Sequence, residues 1–454
     1  MKRLLTILLM LAATVMHASS PDGIVPRPLE TELLKGGMRV AGAPFKCDPD
    51  IDSVSFRTIS RFAAELSLAS GRTCAVSAPV GIEASVGNGS AKGMIFLRDK
   101  SMLPEEYRIE IGHRYAVVSA SGTEGFAHAL QTLRQLLPES IYAGVPAENE
   151  RWILPCCTIH DRPGYEWRGL MLDCSRHFWS VGEIKRCLDL MERYKLNRFH
   201  WHLTDDQGWR IEIKSLPLLT QIACWREGTA TEDSPSDHIR YGGFYTQDEI
   251  REIVRYARER GITVIPEITL PGHVLAALSA YPEIGCTGGP YAAATDWGVS
   301  DQLICAGKET GFEFLEKVLS ETAALFPSEY IHIGGSDCPT TEWEKCPDCQ
   351  RRIAEIGLHD NYGGVKVGRL LEYFIARVGG MLAREGKKTI LRNEPPLIPE
   401  GGMSMREAGG YTEVLKDGEV TGMQADIWTE RISTPEQLEA AILSGLPQLS
   451  EIQW

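Results

Sequence analysis

The sequence predicts an α/β protein, a (β/α)8 TIM-type barrel preceded by a small α+β domain. Three observations predict it. From Tyr165 onward, short apolar runs alternate with amphipathic stretches of helical period. The runs are near-continuously apolar, as strands buried on both faces of a parallel sheet are. Polar residues cluster just after each run, and in a barrel all such loops meet on one face. An open doubly wound sheet is the alternative, but no glycine-rich nucleotide loop supports it.

Taken in order, residues 1–20 read "MKRLLTILLMLAATVMHASS", a basic start, a Leu-rich middle and small residues at the end. That is the pattern of a cleaved secretory signal, so the chain is expected to be exported, to a periplasm or the extracellular space. The apolar stretch is too short for a membrane span, and nothing else in the chain approaches one. Residues 21–157 mix β-rich runs ("GMIFLRD", "RYAVVSA") with helical patterns ("SFRTISRFAAELSLASG", "TEGFAHALQTLRQLL"), which predicts the α+β domain. Residues 158–454 form the barrel. Its strands are read at "WRGLMLDCS", "RFHWHLTDD", "ITVIPEITL" and "YIHIGGSD", with helices at "VGEIKRCLDLMERYKLN", "TQDEIREIVRYARERG" and "TGFEFLEKVLSETAALF". Past Glu394 the pattern thins. Only a short stretch separates Arg406 from Gly422, and one βα unit needs about thirty residues. The barrel is therefore expected to be incomplete, with open strand edges.

A net charge of −14 argues against nucleic acid as a partner. Export gives the 12 cysteines access to disulfide chemistry. Cys286 and Cys305 flank a glycine-rich loop and are the first candidates for a pair. Cys346 and Cys349 form a lone CxxC with no second pair of ligands in the sequence, so a loop staple or free thiols is expected there rather than a metal.

The polar residues after the strands are Arg176, Asp205, Asp206, Glu267, His273, Asp337 and Glu430, with Trp201, Trp209 and Trp428 nearby. Carboxylates and Arg bind sugar hydroxyls, and aromatic faces stack on the ring. The blocks "RGLMLDCSRHF", "KLNRFHWHLTDDQGWRIEIKSLP", "VIPEITLPGH", "FPSEYIHIGG" and "GMQADIWTE" resemble glycoside hydrolase family 20, the β-N-acetylhexosaminidases, and the resemblance runs from about residue 24 to Trp454. It implies a retaining mechanism in which the substrate's own acetamido oxygen attacks the anomeric carbon. It also implies glycans carrying N-acetylhexosamine as substrates, and no cofactor or metal. In the family an Asp-Glu pair follows "HIGG". The Glu is the general acid, and the Asp holds the acetamido group. Ser336 and Asp337 stand there in this chain.

By the same resemblance Arg176 holds sugar hydroxyls, Asp205 pairs with His273 to set the state of the acid, and Trp428 and Glu430 form the wall of the sugar pocket. Other positions depart. Thr269 replaces an Asp, while Arg392 and Met405 replace two wall tryptophans. A Tyr that holds the acetamido group would fall in the missing segment before Gly422. Loss of the preorganised charge at Ser336 is worth about a hundredfold in rate. The shorter reach of Asp337 is worth about the same again if the proton donor moves by about 1 Å. Weak hexosaminidase activity is therefore expected, with a catalytically inactive carbohydrate-binding or purely structural relative as the alternative. A hydrolase using Asp337 with Glu267 is a third arrangement, requiring carboxylates about 5–9.5 Å apart.

Overall fold

A computed structural model of the chain describes residues 23–78, 92–147, 149–230, 234, 236–335, 338–358, 367–392 and 398–454. The expected signal at 1–20 lies outside the described residues, as do Ser336, Asp337 and Glu394. Among the described residues no helix is long and apolar enough to cross a membrane.

The chain divides into two units, Met1–Arg162 and Pro163–Trp454. The division falls after Arg162 rather than at 157 because the strand Ile153–Asp161 pairs into the first unit's sheet. That sheet has seven strands, ordered Glu30–Arg39, Ile153–Asp161, Tyr107–Ile111, Tyr115–Ala120, Gly93–Arg98, Phe45–Cys47 and Val76–Ser77. The helices Ser53–Ser70 and Thr123–Gln135 supply its cover. Asp52 caps the first, its carboxylate accepting from Val54 N and Ser55 N at 2.9 and 3.0 Å. Phe45 and Phe96 from the sheet pack against Phe62 and Phe126 from the helices, with ring centroids 5.6 to 6.3 Å apart.

The second unit is a closed eight-stranded barrel. Its strands are Trp167–Asp173, Arg198–His202, Thr263–Leu270, Tyr330–Gly334, Lys388–Arg392, Met403–Ala408, Tyr411–Lys416 and Glu419–Ile427. Helix starts follow from local chemistry. Ser180 with Glu183, Thr246 with Glu249 and Thr434 with Gln437 form reciprocal capping boxes before the helices Val181–Arg193, Gln247–Arg258 and Pro435–Gln453. The first of these buries Ile184, Cys187, Leu188 and Met191, the spacing of one helical face.

The expectation of an open barrel is corrected. Six strands run parallel, then the chain doubles back: Tyr411–Lys416 is antiparallel to both of its neighbours, and Glu419–Ile427 returns parallel to the first strand and closes the sheet. Two tight turns make this possible. Gly409 and Gly410 have φ of 60° and 89°, and Asp417 and Gly418 have 53° and 83°. Two consecutive residues with positive φ are what a two-residue hairpin turn of matching twist requires. A β-meander thus occupies the arc where a further βα unit was expected, and the strand edges are paired.

Side chains alternate through the barrel wall. Phe199, Trp201, Ile331, Ile333 and Leu391 point into the layer shared with the helices. Trp167, Ile265, Tyr330, Ile390, Met403, Met405 and Val414 form a separate apolar cluster with the remaining phase. Met405 therefore packs in that cluster, fully buried, and is not a pocket wall. Trp201 and Trp209 are likewise buried in the outer core and offer no platform to a sugar.

The twelve cysteines are unbridged, so the expected Cys286–Cys305 pair is corrected as well. Those two sulfurs gather instead with the sulfurs of Cys346 and Cys349.

Candidate active site

Strand alternation explains why the rim of the barrel is rich in titratable groups. In "RFHWH" the two histidines share a phase opposite to Phe199 and Trp201, so His200 and His202 meet Glu267 of the neighbouring strand, with His202 paired in register to Glu267. His332 arrives from the fourth strand in the same way, its Nδ1 3.1 Å from Glu267 Oε1. That strand then ends at Gly334 and Gly335, with φ of 71° and 89°. A Cβ on Gly334 would stand 2.7 Å from Thr269 Cγ2, so only glycine lets the chain leave the rim here.

The centre of the site is Asp205. Its Oδ2 lies 2.9 Å from Arg176 Nη1 and 2.9 Å from His202 Nε2, and its Oδ1 lies 2.9 Å from His273 Nδ1. His202 bridges onward, with Nδ1 2.8 Å from Glu267 Oε2. Both nitrogens of His202 thus face carboxylates, the arrangement of an imidazolium. Burial works against that charge, yet Glu267 and Asp205 outweigh it and hold His202 up at about 9. His273 is likewise disfavoured by burial but is carried up to about 10, chiefly by Asp205. Burial would raise Asp205 and Glu267. The surrounding cations reverse this and hold both carboxyls far below the usual range, Arg176 and His273 acting on Asp205, and His202 on Glu267. Burial keeps His332 neutral, down at about 4, against the pull of Glu267.

These groups open onto a cavity of about 650 Å³ lined by Arg176, His202, Asp205, Glu267, Thr269, His273, Gly298, Val299, Arg392, Glu407, Trp428 and Glu430. Six predicted residues, Arg176, Asp205, Glu267, His273, Trp428 and Glu430, are therefore brought together. Ser336 and Asp337 lie outside the described residues. Arg176 sits 5.1 Å from the centroid of the Trp428 ring, and Arg392 is at the same distance. Arg392 is held by Asp426, Nη1 to Oδ2 at 2.9 Å, and Asp426 also accepts from Thr412 Oγ1 and Gln424 Nε2. Thr269 donates to Thr204 O at 2.9 Å and so is committed to the scaffold. Arg176 Nε and Arg392 Nη2 are buried donors with no acceptor among the described residues.

Sequence reasoning missed His200, His202, His332 and Glu407. The period-2 alternation in "RFHWH" was the available signal for the first two. Among the described residues three groups have ligating atoms close enough for a metal: the four cysteines away from this site, and here His200 with Glu267 and His332, and Asp205 with Asp206 and His273. In the last of these, His273 and Asp205 already balance one another.

Chemically the arrangement is a buried chain of alternating charges ending in His273 at the pocket. The domain described as glycosyl hydrolase family 20, catalytic domain, matches residues 165–397, and domain 2 of the same family matches 22–162. The chain belongs to glycoside hydrolase family 20. A β-hexosaminidase of Porphyromonas gingivalis is 40% identical over 334 residues, 72% of this chain and 40% of that protein. A β-N-acetylhexosaminidase of Cellulomonas fimi is 30% identical, over 82% of this chain and 79% of its own length. The crystal structure of an exo-β-N-acetylglucosaminidase of Vibrio harveyi in complex with N-acetylglucosamine superposes with a TM-score of 0.78 at 28% identity, covering 96% of this chain and 74% of that one. A β-N-acetylhexosaminidase of Bacteroides fragilis gives 0.77 at 28% identity, over 95% and 90%. The chain thus spans about two fifths of its Porphyromonas relative. The family's catalytic-domain match ends at 397, before the meander that closes this barrel.

Proposed function

We propose that this family 20 chain is an exported, weakly active β-N-acetylhexosaminidase that takes terminal β-linked N-acetylglucosamine or N-acetylgalactosamine by the substrate-assisted retaining route. The observation that carries the reading is the convergence of Arg176, Asp205, His273, Trp428 and Glu430 on one cavity at the strand ends. In this reading Trp428 supplies the ring face, Glu430 and Arg176 bind hydroxyls, and the Asp205–His273 pair sets the charge beside the general acid. Asp337 is that acid, and turnover is slow because Ser336 leaves the oxazolinium charge uncompensated.

A second reading, a carbohydrate-binding protein without turnover, is favoured by Arg392. It places a cation 5.1 Å from the Trp428 ring, in a pocket whose intermediate is itself a cation. The test is release of aryl alcohol from an aryl N-acetyl-β-glucosaminide, beside calorimetric titration with N-acetylglucosamine. The aryl group leaves with little acid assistance, so it tolerates a poorly placed Asp337. Turnover above a heat-killed control supports the weak enzyme. Binding without turnover selects the second reading, and the absence of both overturns each of them.

A further inference from the structure

We infer that Cys286, Cys305, Cys346 and Cys349 form a structural zinc site, distinct from the sugar pocket. The four sulfurs lie within 4.8 Å of one another. Cys305 Sγ is 3.5 Å from Cys349 Sγ and 3.7 Å from Cys346 Sγ, and Cys286 Sγ is 4.0 Å from Cys349 Sγ. Zinc–sulfur bonds of about 2.3 Å in a tetrahedron put the sulfurs about 3.8 Å apart, so these separations fit the metal without rearrangement. A disulfide needs about 2.05 Å, and no pair among the four approaches it.

The backbone is built to present these ligands. Cys346 and Cys349 are the C-x-x-C pair at the start of the helix Pro347–Glu355, with Pro347 in its first turn and Gln350 N donating to Cys346 O. The positive end of a helix favours thiolates at that position. Cys286 and Cys305 flank the isolated bridge between Gly285 and Ile304, which sets them side by side. The two limbs are pressed together. A Cβ on Gly307 would fall 2.1 Å from the backbone carbon of Asp348, and Trp343 Nε1 donates to Ile304 O at 3.0 Å. Cys305, Cys346 and Cys349 are buried, so the shell is nearly closed to water and all four positions are protein sulfurs. Soft thiolates in a closed tetrahedron select zinc for structure rather than for catalysis.

The location gives the site its use. One limb spans the loop that carries Gly298 and Val299 to the sugar pocket. The other follows the fourth strand, a few residues beyond Ser336 and Asp337. A metal staple there fixes both loops against the barrel rim without touching substrate.

The experiment uses the full chain, expressed with zinc and purified without a metal-affinity step. Elemental analysis is expected to find one zinc per chain, falling at least tenfold in Cys346→Ser and Cys349→Ser and unchanged in Cys338→Ser. Thiol titration of the wild type, denatured with a chelator and no reductant, is expected to count all 12 cysteines. Cobalt loaded in place of zinc should show the intense visible bands of tetrahedral thiolate coordination, a wild-type measurement that stands even if the serine variants fail to fold. Metal-free protein overturns the assignment, whether four thiols are missing from the count because they are bridged or all are free. So does iron in place of zinc, or zinc that survives Cys346→Ser.

Discussion

Replacing Asp205 with Asn tests the charge chain at its centre. The amide keeps the size of the carboxylate and removes the charge that faces Arg176, His202 and His273, each at 2.9 Å. His273 rises from 6.5 to about 10 in the folded chain, and at about 1.4 kcal/mol per unit this is on the order of 5 kcal/mol of preference for the imidazolium. The folded pKa lies above the unfolded one, so this stabilisation is complete below about 6.5 and is lost as pH rises through about 10. His202 follows the same sign, its contribution complete below about 6.5 and lost as pH rises through about 9. The two share Asp205 and will titrate as a coupled pair. In Asp205→Asn, burial of His273 is opposed chiefly by Asp206, 3.3 Å from its Nδ1, so the ring should shed its proton at lower pH, and the chain should lose about 3–5 kcal/mol at neutral pH by stranding buried cations. The assay is the titration of ¹³C-labelled histidine rings by NMR in both proteins, with urea unfolding at pH 7, 8 and 9 alongside. A wild-type His273 that titrates near the unperturbed value of about 6.5, or a midpoint that Asp205→Asn leaves in place, would refute the charge chain.

Three further outcomes are expected. Ser336→Asp combined with Asp337→Glu should raise turnover of the aryl glycoside by about a hundredfold or more if the rest of the pocket is competent, and an inert double variant would place the defect in the pocket walls instead. Trp428→Ala should weaken N-acetylglucosamine binding by about tenfold, or about 1.4 kcal/mol, through the lost ring face, and unchanged calorimetric affinity would move the sugar elsewhere. Gly410→Val should lower unfolding stability by about 1–3 kcal/mol, because a φ of 89° strains a β-branched residue even with no neighbour within 4 Å of the added Cβ, and an unshifted urea midpoint would contradict the tight turn.

What the sequence made legible follows from how local each signal is. The first four barrel strands are short apolar runs bounded by polar loops, and the helices after the first two carry capping boxes, so these are readable within a few residues. The closure of the barrel was not read, although "AGGY" and "KDGE" hold the glycines that a two-residue hairpin needs. A βα rhythm predicts a helix after each strand there, and an antiparallel strand breaks it. His200 and His202 were hidden inside a strand that reads as apolar overall. Their role depends on Glu267 standing opposite, which is a matter of register between strands. The cysteines show the same limit at longer range: Cys286 and Cys349 are far apart in sequence, and only the folded loops bring their sulfurs to 4.0 Å.

The meander also accounts for the character of the pocket. In a barrel of parallel strands every strand delivers a loop to the catalytic face. Here the sixth strand delivers only the Gly409-Gly410 turn, and the seventh runs away from that face and ends in Asp417-Gly418 at the other rim. The cavity lining accordingly passes from Glu407 directly to Trp428. Two loops' worth of wall is replaced by one turn, in the arc where the family resemblance implies the Tyr that grips the acetamido group. Thr412 from the descending strand compensates in a different way. Its hydroxyl donates to Asp426, and Asp426 holds Arg392 against Trp428. The strand that closes the sheet therefore supports the cation beside the Trp428 ring. The paired strand edge and the support of Arg392 thus both draw on the same short segment of chain.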